Sequence, residues 1–464
     1  MPRSPALLPL CAAAALLVAG AAPTRAEPAP SSELDIPFEK YTLDNGLEVI
    51  LHPDPRAPLV AVNVWYHVGS GDETPGKSGF AHLFEHMMFQ GTKHTGEDVH
   101  FPILEAIGAS AVNGTTNSDR TNYYETVPRH ELETALWLES DRMGYLLDAL
   151  TEKSFRNQVD VVRNERRQRY DNVAYGKARF VVAASLYPEG HPYRYMTIGR
   201  HEDLEAASLD DVRGFFRTWY VPSNATLTIA GDFDPTEVKA LVVKWFGSFP
   251  KLPKPERRAV APPEISASTT EVPDTFAKLE QIQRNWIGPK PLTDEALALE
   301  AALTILGNDG WGRLYKRLVV TEPLCQSVRV GIEDKQHNGE LIVMAQLKPG
   351  ADRSRVLTIL DEELARIAKE PPSEAELRRW IVNTASDFVW ALEDLAQRAD
   401  QLQWFNHYAG DPGYASTYLS RVRAMTPDKV SAAAAAWLTK PFVQVVSVPA
   451  AAAPAPKPAP EVTP

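Results

Sequence analysis

Two stretches of the chain, one in each half, carry the same order of elements. In the first half, an amphipathic segment from Ser208 to Tyr220, SLDDVRGFFRTWY, is followed by the strand-like NATLTIAGD. In the second half, TPDKVSAAAAAWL is followed by PFVQVVSVP. Ser208 with Asp211 three residues later is a helix-start signal, the capping box. The repeated helix–strand pair predicts two similar domains, related by an old duplication.

The segment between the two halves marks the domain boundary. Its sequence, PKLPKPERRAVAPPE, is rich in proline and charge, which is typical of a linker. We therefore expect an N-terminal domain over 33–250, a linker over 251–272 and a C-terminal domain over 273–448. The Ala/Pro-rich residues 449–464 are predicted to form a disordered tail.

Both domains are predicted to be α+β, each with a mostly antiparallel sheet packed by helices on one face, because strand-like runs precede long helical patterns. A hairpin signal, Asp44-Asn45-Gly46, lies between the first two strand-like runs. A helical pattern over Gly79–Gln90 follows further along. The longer helices are expected at His130–Leu147, Glu152–Tyr170, Ser354–Lys369 and Ser373–Tyr408.

The first 26 residues are typical of a secretory signal peptide. Arg3 precedes the apolar run ALLPLCAAAALLVAGAA, and small residues continue to Ala26. An uncleaved membrane anchor is the alternative, although the run is short for a span. After cleavage we expect no membrane span and, if the source is a Gram-negative bacterium, a periplasmic protein. Only Cys325 then remains, so no internal disulfide can form.

The charge of the chain excludes one class of partner. The net charge is −12, and it becomes −14 without the signal peptide, which carries Arg3 and Arg25 and no acidic residue. An acidic chain without a basic run is a poor nucleic-acid binder. The same charge favours basic peptides only weakly.

The stretch GFAHLFEHMMFQGT predicts a metal site. On a helix, His82 and His86 share one face, and Glu85 points close to it. Zinc suits two neutral imidazoles and a carboxylate with one position open for water. Glu85 could then take a proton from that water. The alternative is a helix with two half-exposed histidines, because H-x-x-E-H can occur by chance.

Several stretches in the same order resemble the pitrilysin/insulinase family of zinc metallopeptidases, the H-x-x-E-H inverzincins. They are GSGDETPGKSGFAHLFEHMMFQGT, NGTTNSDRTNYYETVP, VVRNERRQ and HPYRYMTIGRHEDLEAASLDDVRGFFRTWYVPSNATLTIAGDFDP. The resemblance covers nearly all of the mature chain. It is greatest to the short, two-domain branch, which includes the mitochondrial processing peptidase β-subunit and bacterial heterodimeric homologues.

The resemblance implies a zinc endopeptidase that binds one Zn²⁺ per chain. His82 and His86 would be ligands, Glu85 the catalytic base, and Glu165 the third ligand, since it ends the family's E-x-x-x-V-x-x-E pattern in QVDVVRNE. The first glutamate of that pattern, usually an outer-shell group, is Gln158 here. A solvated helix carboxylate is the alternative for Glu165.

The resemblance also implies how a peptide substrate is held. In the family the peptide adds itself to an edge strand, and ASAVNGTTNS is the matching stretch here. Asn113 would contact the substrate backbone near the scissile bond, and Gly114 and Thr115 would continue the edge. Without the resemblance, a Gly/Asn turn is the favoured interpretation of these residues.

One part of the family pattern is missing. Active members use an Arg and a Tyr seven residues apart to contact the substrate and stabilise the oxyanion. The aligned residues here are Val319 and Gln326, and shifting the register to Arg317 leaves no tyrosine seven residues later. We therefore expect a heterodimer in which a homologous subunit supplies the Arg and Tyr and the two chains enclose a chamber for short or unfolded peptides. The alternatives are a homodimer or monomer with altered catalysis, and a non-catalytic structural or chaperone-like subunit.

Overall fold

The structure is a computed structural model that describes Leu34 and residues 36–450. The signal peptide predicted over residues 1–26 and residues 451–464 of the predicted tail lie outside this part of the chain. Within the described part, no helix combines the length and apolar character needed to cross a membrane.

The first half is built on a six-stranded sheet with the order β1-β2-β6-β3-β5-β4. Its strands are β1 (Glu39–Thr42), β2 (Glu48–Pro53), β3 (Leu59–Tyr66), β4 (Ser110–Thr116), β5 (Thr121–Pro128) and β6 (Ala225–Gly231). Only β2 and β6 run parallel to each other. The helices are α1 (Phe80–Met87), α2 (His100–Ala106), α3 (Leu132–Ala149), α4 (Glu152–Arg166), α5 (Gly176–Leu186), α6 (His201–Ala206), α7 (Leu209–Trp219) and α8 (Pro235–Phe246).

The second half is built on a five-stranded sheet with the order β7-β11-β8-β10-β9. Its strands are β7 (Ser268–Asp274), β8 (Gln281–Gly288), β9 (Cys325–Glu333), β10 (Gly339–Leu347) and β11 (Val443–Pro449). The helices are α9 (Asp294–Gly307), α10 (Arg313–Tyr315), α11 (Arg353–Lys369), α12 (Glu374–Ala391), α13 (Leu395–Ala409), α14 (Ala415–Arg423) and α15 (Pro427–Trp437).

The two sheets have equivalent topologies. Without β1, the order β2-β6-β3-β5-β4 matches β7-β11-β8-β10-β9 strand for strand. In each sheet the last strand pairs in parallel with the first of the matched five, and all other pairs are antiparallel. Two α+β domains with mostly antiparallel sheets, as the sequence predicts, are therefore confirmed, and the shared strand order supports the duplication.

Each half covers one face of its own sheet with its own helices. In the first half, Val60, Val62 and Val64 of β3 pack with residues of α1, α3, α4, α7 and α8 in one buried cluster. The second half forms a corresponding core between its sheet and α9, α11, α12 and α15. Alternate strand residues point to this face because side chains alternate along a strand.

The opposite face of each sheet is covered by a helix from the other half. Helix α13 lies on the first sheet, where Gln403 Nε2 donates to the carbonyl oxygens of Asn63 and Thr226 at 3.1 and 2.8 Å. Helix α5 lies on the second sheet, where Val182 packs against Val443. The two halves are thus held together by exchanged helices as well as by the connecting segment.

Three of the boundaries that differ from the sequence-based expectation have a clear physical reason. Strand β7 begins at Ser268, inside the segment 251–272 expected to be a linker, because it pairs with β11 at the sheet edge, where Pro273 is tolerated. The helix expected over Ser373–Tyr408 is broken, because the Asp394 side chain accepts a hydrogen bond from Gln397 N and starts α13. Pro449 ends β11 and is not part of the tail.

Candidate metal centre

Helix α1 is fixed at its N-terminus by a glutamate from the preceding loop. The two carboxylate oxygens of Glu73 accept hydrogen bonds from Gly79 N at 3.0 Å and Ala81 N at 2.8 Å. These are orphan donors of the first turn, and a carboxylate also complements the helix dipole there. Gly79 has φ 91° and lies against the Gly199 backbone, so a side chain at either position would clash. The start of the histidine helix is therefore set by tertiary contacts.

Three ligand-type side chains converge on one point between α1 and α4. Oε2 of Glu165 lies 3.6 Å from His82 Nε2 and 3.3 Å from His86 Nε2. The three ligand atoms are all within 4.8 Å of one another. The rings of His82 and His86 are perpendicular, with centroids 4.8 Å apart. This is the one-ion spacing that the i, i+4 pattern predicts, and Glu165 stands where the third ligand is expected.

The protonation states suit a metal ion. Burial lowers the pKa of His82 to about 4, so its imidazole is neutral near pH 7. Burial acts to raise the pKa of Glu165, but the hydrogen bond with His86 and the neighbouring charges outweigh it, so this carboxyl is an anion. Two imidazoles and a carboxylate are a donor set that fits zinc. Oε1 of Glu165 contacts Arg169 Nη1 at 2.7 Å, which leaves Oε2 for the ion.

Gln158 lies on α4, two turns before Glu165, and is buried. Within the described residues, its amide makes no hydrogen bond to the three candidate ligands. Nδ1 of His82 is buried and has no hydrogen-bond partner in this part of the chain. Ligating histidines usually donate their second N–H to an outer-shell acceptor. The outer-shell role of Gln158 therefore stays a prediction.

The side chain of Glu85 extends from α1 toward strand β4. Its Oε2 accepts a hydrogen bond of 2.6 Å from Thr116 Oγ1. Burial raises the pKa of Glu85, and the hydrogen bond from Thr116 acts in the opposite direction. A carboxyl with a raised pKa is better matched to proton transfer near neutral pH. The side chain is thus placed beside the candidate ligands and held by the neighbouring strand.

Strand β4 is an edge strand, and it is the strand that carries the three predicted substrate contacts. Asn113 is exposed, and Gly114 is buried against α1. A Cβ atom on Gly114 would approach Glu85 Cγ to 3.1 Å, so any larger residue would have to displace the Glu85 side chain slightly. The Thr115 carbonyl accepts a hydrogen bond of 2.9 Å from Arg120. An edge strand beside Glu85 can accept an added peptide strand.

The positions aligned with the missing Arg/Tyr pair lie in the second half. Gln326 is exposed on the edge strand β9, and Val319 packs against the second core. The guanidinium of Arg317 contacts Glu363 at 2.9 Å and Glu362 at 2.6 Å. Arg317 is therefore committed to ion pairs with α11, which argues against the shifted register.

Three residues that position the site were not identified from the sequence. Glu73 caps α1, Thr116 holds Glu85, and Arg169 contacts Glu165. Thr116 directly follows the predicted substrate stretch, but a threonine there gives no signal of its own. Arg169 is four residues after Glu165, an i, i+4 spacing that could have indicated the pair.

Two sequence profiles match the chain. Residues 48–179 match the profile described as Insulinase (Peptidase family M16). Residues 206–381 match the profile described as Peptidase M16 inactive domain. The first match contains His82, Glu85, His86 and Glu165. The second lies in the part of the chain that contains none of these four residues.

Known proteins resemble the chain over most of its length. Zinc protease PqqE of Helicobacter pylori is 30% identical over 361 residues, which are 76% of this chain and 80% of that protein. The crystal structure of a protease from Helicobacter pylori has a TM-score of 0.82 at 26% identity and covers 90% of this chain and 100% of its own. The periplasmic protease PqqL from Escherichia coli has a similar fold, with a TM-score of 0.71 at 19% identity, covering 91% of this chain and 50% of its own. The chain belongs to the insulinase/pitrilysin (M16) family.

Proposed function

We propose that this chain is a zinc-dependent endopeptidase for short or unfolded peptides and that it acts as the zinc-bearing subunit of a heterodimer. One observation carries the proposal. Three ligand-type atoms from His82, His86 and Glu165 lie within 4.8 Å of one another, beside a partly buried glutamate and an edge strand. The relatives named as zinc proteases support the same reaction class.

Each residue has a role in peptide hydrolysis. One zinc ion, held by His82, His86 and Glu165, would supply Lewis acidity and make a water molecule more acidic. Glu85 accepts the proton of the attacking water at its carboxylate and delivers it to the leaving amine. Thr116 orients this carboxylate through its hydroxyl. Because Glu85 is partly buried, its proton affinity is set by these neighbours as well as by solvent.

The peptide is held along β4 as an added strand. Asn113 contacts the peptide backbone next to the scissile bond, and Gly114 lets the strand lie close to α1. Main-chain pairing binds peptides with little dependence on their sequence. The chamber enclosed by the proposed heterodimer excludes folded proteins, so short or unfolded chains are the substrates.

The heterodimer explains the missing Arg/Tyr pair. Val319 and Gln326 supply neither a cation nor an acidic hydroxyl, so the oxyanion contacts come from a homologous subunit. The fold of this chain matches half of the PqqL chain. Two chains of this size would therefore together have the size of PqqL, which is consistent with two chains enclosing one chamber. The alternative is a non-catalytic subunit, and the match of the second half to an inactive-domain profile is the observation that favours it.

Export completes the proposal. The signal peptide predicted over residues 1–26 would deliver the chain to the periplasm of a Gram-negative cell. Cell fractionation, with N-terminal sequencing of the recovered protein, tests this. A periplasmic protein that begins near Glu27 supports export, and a cytoplasmic protein that begins at Met1 contradicts it.

The proposed function is tested by metal analysis and peptide hydrolysis on the same preparation. The mature protein, alone and mixed with a homologous chain that lacks H-x-x-E-H, is given quenched fluorescent peptides. One zinc per chain and hydrolysis that a chelator abolishes support the peptidase. If the purified protein binds zinc in neither sample, the non-catalytic subunit becomes the better explanation.

Glu165→Gln should weaken zinc binding. The amide keeps the size of the side chain but removes its negative charge. Replacing an outer-shell residue lowers metal affinity by up to about 100-fold, so the loss of a direct ligand should lower zinc affinity by about 100-fold or more. Competition with a chromophoric chelator measures this. Glu152→Gln on the exposed start of the same helix is the matched control and should bind zinc normally. Unchanged affinity in Glu165→Gln would remove this residue from the ligand set.

Thr116→Val should change the pH dependence of hydrolysis. Valine has the shape of threonine but cannot donate the hydrogen bond that lowers the pKa of Glu85. The pKa of Glu85 should therefore rise, and because the base must be deprotonated, the acid limb of the kcat profile should move to higher pH. Near that limb, kcat should fall about two- to tenfold, the worth of one hydrogen bond.

The control for this change is Thr218→Val. Within the described residues, its hydroxyl bonds only to the Gly214 carbonyl, and Thr218 lies on the exposed face of α7, so the pH profile should not move. A profile that is the same in Thr116→Val and the unmodified protein would show that Thr116 does not act on the base.

A further inference from the structure

Helix α9 of the second half is the counterpart of α1, the helix that carries the two candidate histidine ligands. Counted from the residue that caps each helix, His82 and His86 are the third and seventh residues of α1. The third and seventh residues of α9, counted the same way, are Ala296 and Glu300. Both of these line one cavity. The cavity in the second half thus lies where the duplication places the counterpart of the metal centre.

The counterpart of α4 has also changed. Counted from the capping residues Thr151 and Ser373, Gln158 on α4 corresponds to Trp380 on α12, and both are buried. Trp380 lies next to the Glu300 carboxylate. At the position of Glu165, α12 has Asp387, which is exposed. The second half therefore has Ala296, Glu300 and Asp387 at the positions of the three candidate ligands, and Asp387 does not line the cavity.

The cavity is large enough for a side chain of a peptide. Its volume is about 350 Å³. Helices α9, α12, α13 and α14 and the end of β9 form its walls. Its lining includes the carboxyl groups of Glu300 and Asp334 and the aromatic rings of Phe388, Trp404 and Tyr418.

These two carboxyl groups of the cavity lack a counter-ion in the described part of the chain. Within the described residues, neither Glu300 nor Asp334 is paired with a basic side chain, and the charged groups that act on them are acidic. Arg421 also lines the cavity, but its guanidinium is paired with Asp294 at 2.6 Å. Burial raises the pKa of Glu300 to about 7, as expected for a carboxyl without a counter-ion. A cation in the cavity would supply the missing partner.

We propose that this cavity binds a positively charged group of the peptide substrate, either a lysine or arginine side chain or the N-terminal amine. This inference rests on the proposed function and adds a substrate preference to it. The carboxylates of Glu300 and Asp334 pair with the cation, and the aromatic rings contact it through their faces and cover its alkyl part.

The position of the cavity connects it to the peptide-binding strand. A second cavity of about 170 Å³ is lined by Thr115 of β4 and by Asp400 of α13. Asp400 also lines the first cavity, so the two adjoin. Arg120 lies near Asp400 and offsets its charge, which leaves Glu300 and Asp334 as the uncompensated acids. A peptide paired with β4 can thus extend one end toward them.

Peptide binding without cleavage tests the proposal. Glu85→Gln protein loaded with zinc is titrated with four short peptides labelled at the C-terminus, carrying lysine or norleucine at one position and a free or acetylated N-terminus. We expect the lysine peptide, or the peptide with the free amine, to bind at least tenfold more tightly than its neutral counterpart. The pair that shows the difference identifies the source of the cation.

The variants assign that preference to the cavity. Adding Glu300→Gln and Asp334→Asn should abolish the difference between charged and neutral peptides, whereas Glu295→Gln, an exposed position on α9, should preserve it. Circular dichroism and thermal melting confirm that each variant is folded. A charge preference that survives the double change, or no preference in the parent protein, overturns the proposal.

The experiments distinguish failure of the proposed peptidase activity from failure of the proposed cation-binding cavity. Cleavage of the same peptides by the unmodified chain with its partner tests the peptidase. Cleavage without a charge preference rejects only the cation pocket. Charge-dependent binding that disappears in the double variant, without cleavage of any peptide, rejects the peptidase and retains the pocket.

Discussion

Glu85→Gln should lower kcat for peptide hydrolysis by about 10²- to 10⁴-fold, the range that general acid–base catalysis contributes. The glutamine keeps the volume of the side chain and can still accept the hydrogen bond that Thr116 donates at 2.6 Å. It cannot accept a proton. The loss should therefore appear in kcat, with zinc content and peptide affinity close to those of the unmodified chain.

The measurement combines initial rates on a fluorogenic peptide with metal analysis of the same sample. The matched control is Glu105→Gln, an exposed glutamate on α2, which should keep full activity. Loss of zinc together with activity would mean that Glu85 supports the metal site and is not the proton acceptor. A variant that retains more than about a tenth of the activity would contradict the role of Glu85 as the base.

Local signals predicted much of the fold correctly. The Asn45-Gly46 signal gave the hairpin between β1 and β2, with Gly46 at φ 95°. The Ser208–Asp211 capping box gave the start of α7, where both reciprocal hydrogen bonds are present. These features depend on residues close together in the chain, so one sequence is enough to identify them.

The exchange of helices between the halves could not be predicted. Helix α5 shows almost no separation of polar and apolar faces, and it is held by contacts to β7 and β11, which lie about 80 to 270 residues later in the chain. In α13, Gln403 is fully buried because its amide bonds to backbone carbonyls of the other half. A polar residue at such a position gives no hydrophobic period, so periodicity cannot identify the partner surface.

The candidate site shows the same limit. The i, i+4 spacing alone places His82 and His86 on one face, because helix geometry fixes it. Glu165 is about 80 residues away, and only the family pattern identified it. The contact of Thr116 with Glu85 depends on how α1 packs against β4, which no spacing encodes. Glu300 on α9 lines the cavity of the second half. Its equivalence to His86 is likewise recognised only after the two halves are compared.

The chain on its own should hydrolyse peptides at least about 10²-fold more slowly than the same amount mixed with its homologous partner, because one oxyanion donor is worth 10²–10³ in kcat. The described second half offers no substitute for that donor. Gln326 is a neutral amide on an exposed edge, and Arg317 is bound to Glu362 and Glu363. Zinc binding should not depend on mixing, because all three ligands come from α1 and α4.

Two further samples distinguish a catalytic contribution of the partner from simple stabilisation of this chain by complex formation. A partner whose arginine and tyrosine of the family pattern are replaced by alanine and phenylalanine should still form the complex but should not raise kcat. Glu85→Gln in this chain, mixed with the intact partner, should be equally inactive. Together these results would place the base on one chain and the oxyanion contacts on the other. Full activity of the lone chain would instead require an oxyanion donor within this chain, and Arg120, at 2.9 Å from the Thr115 carbonyl on β4, would then be the first residue to replace.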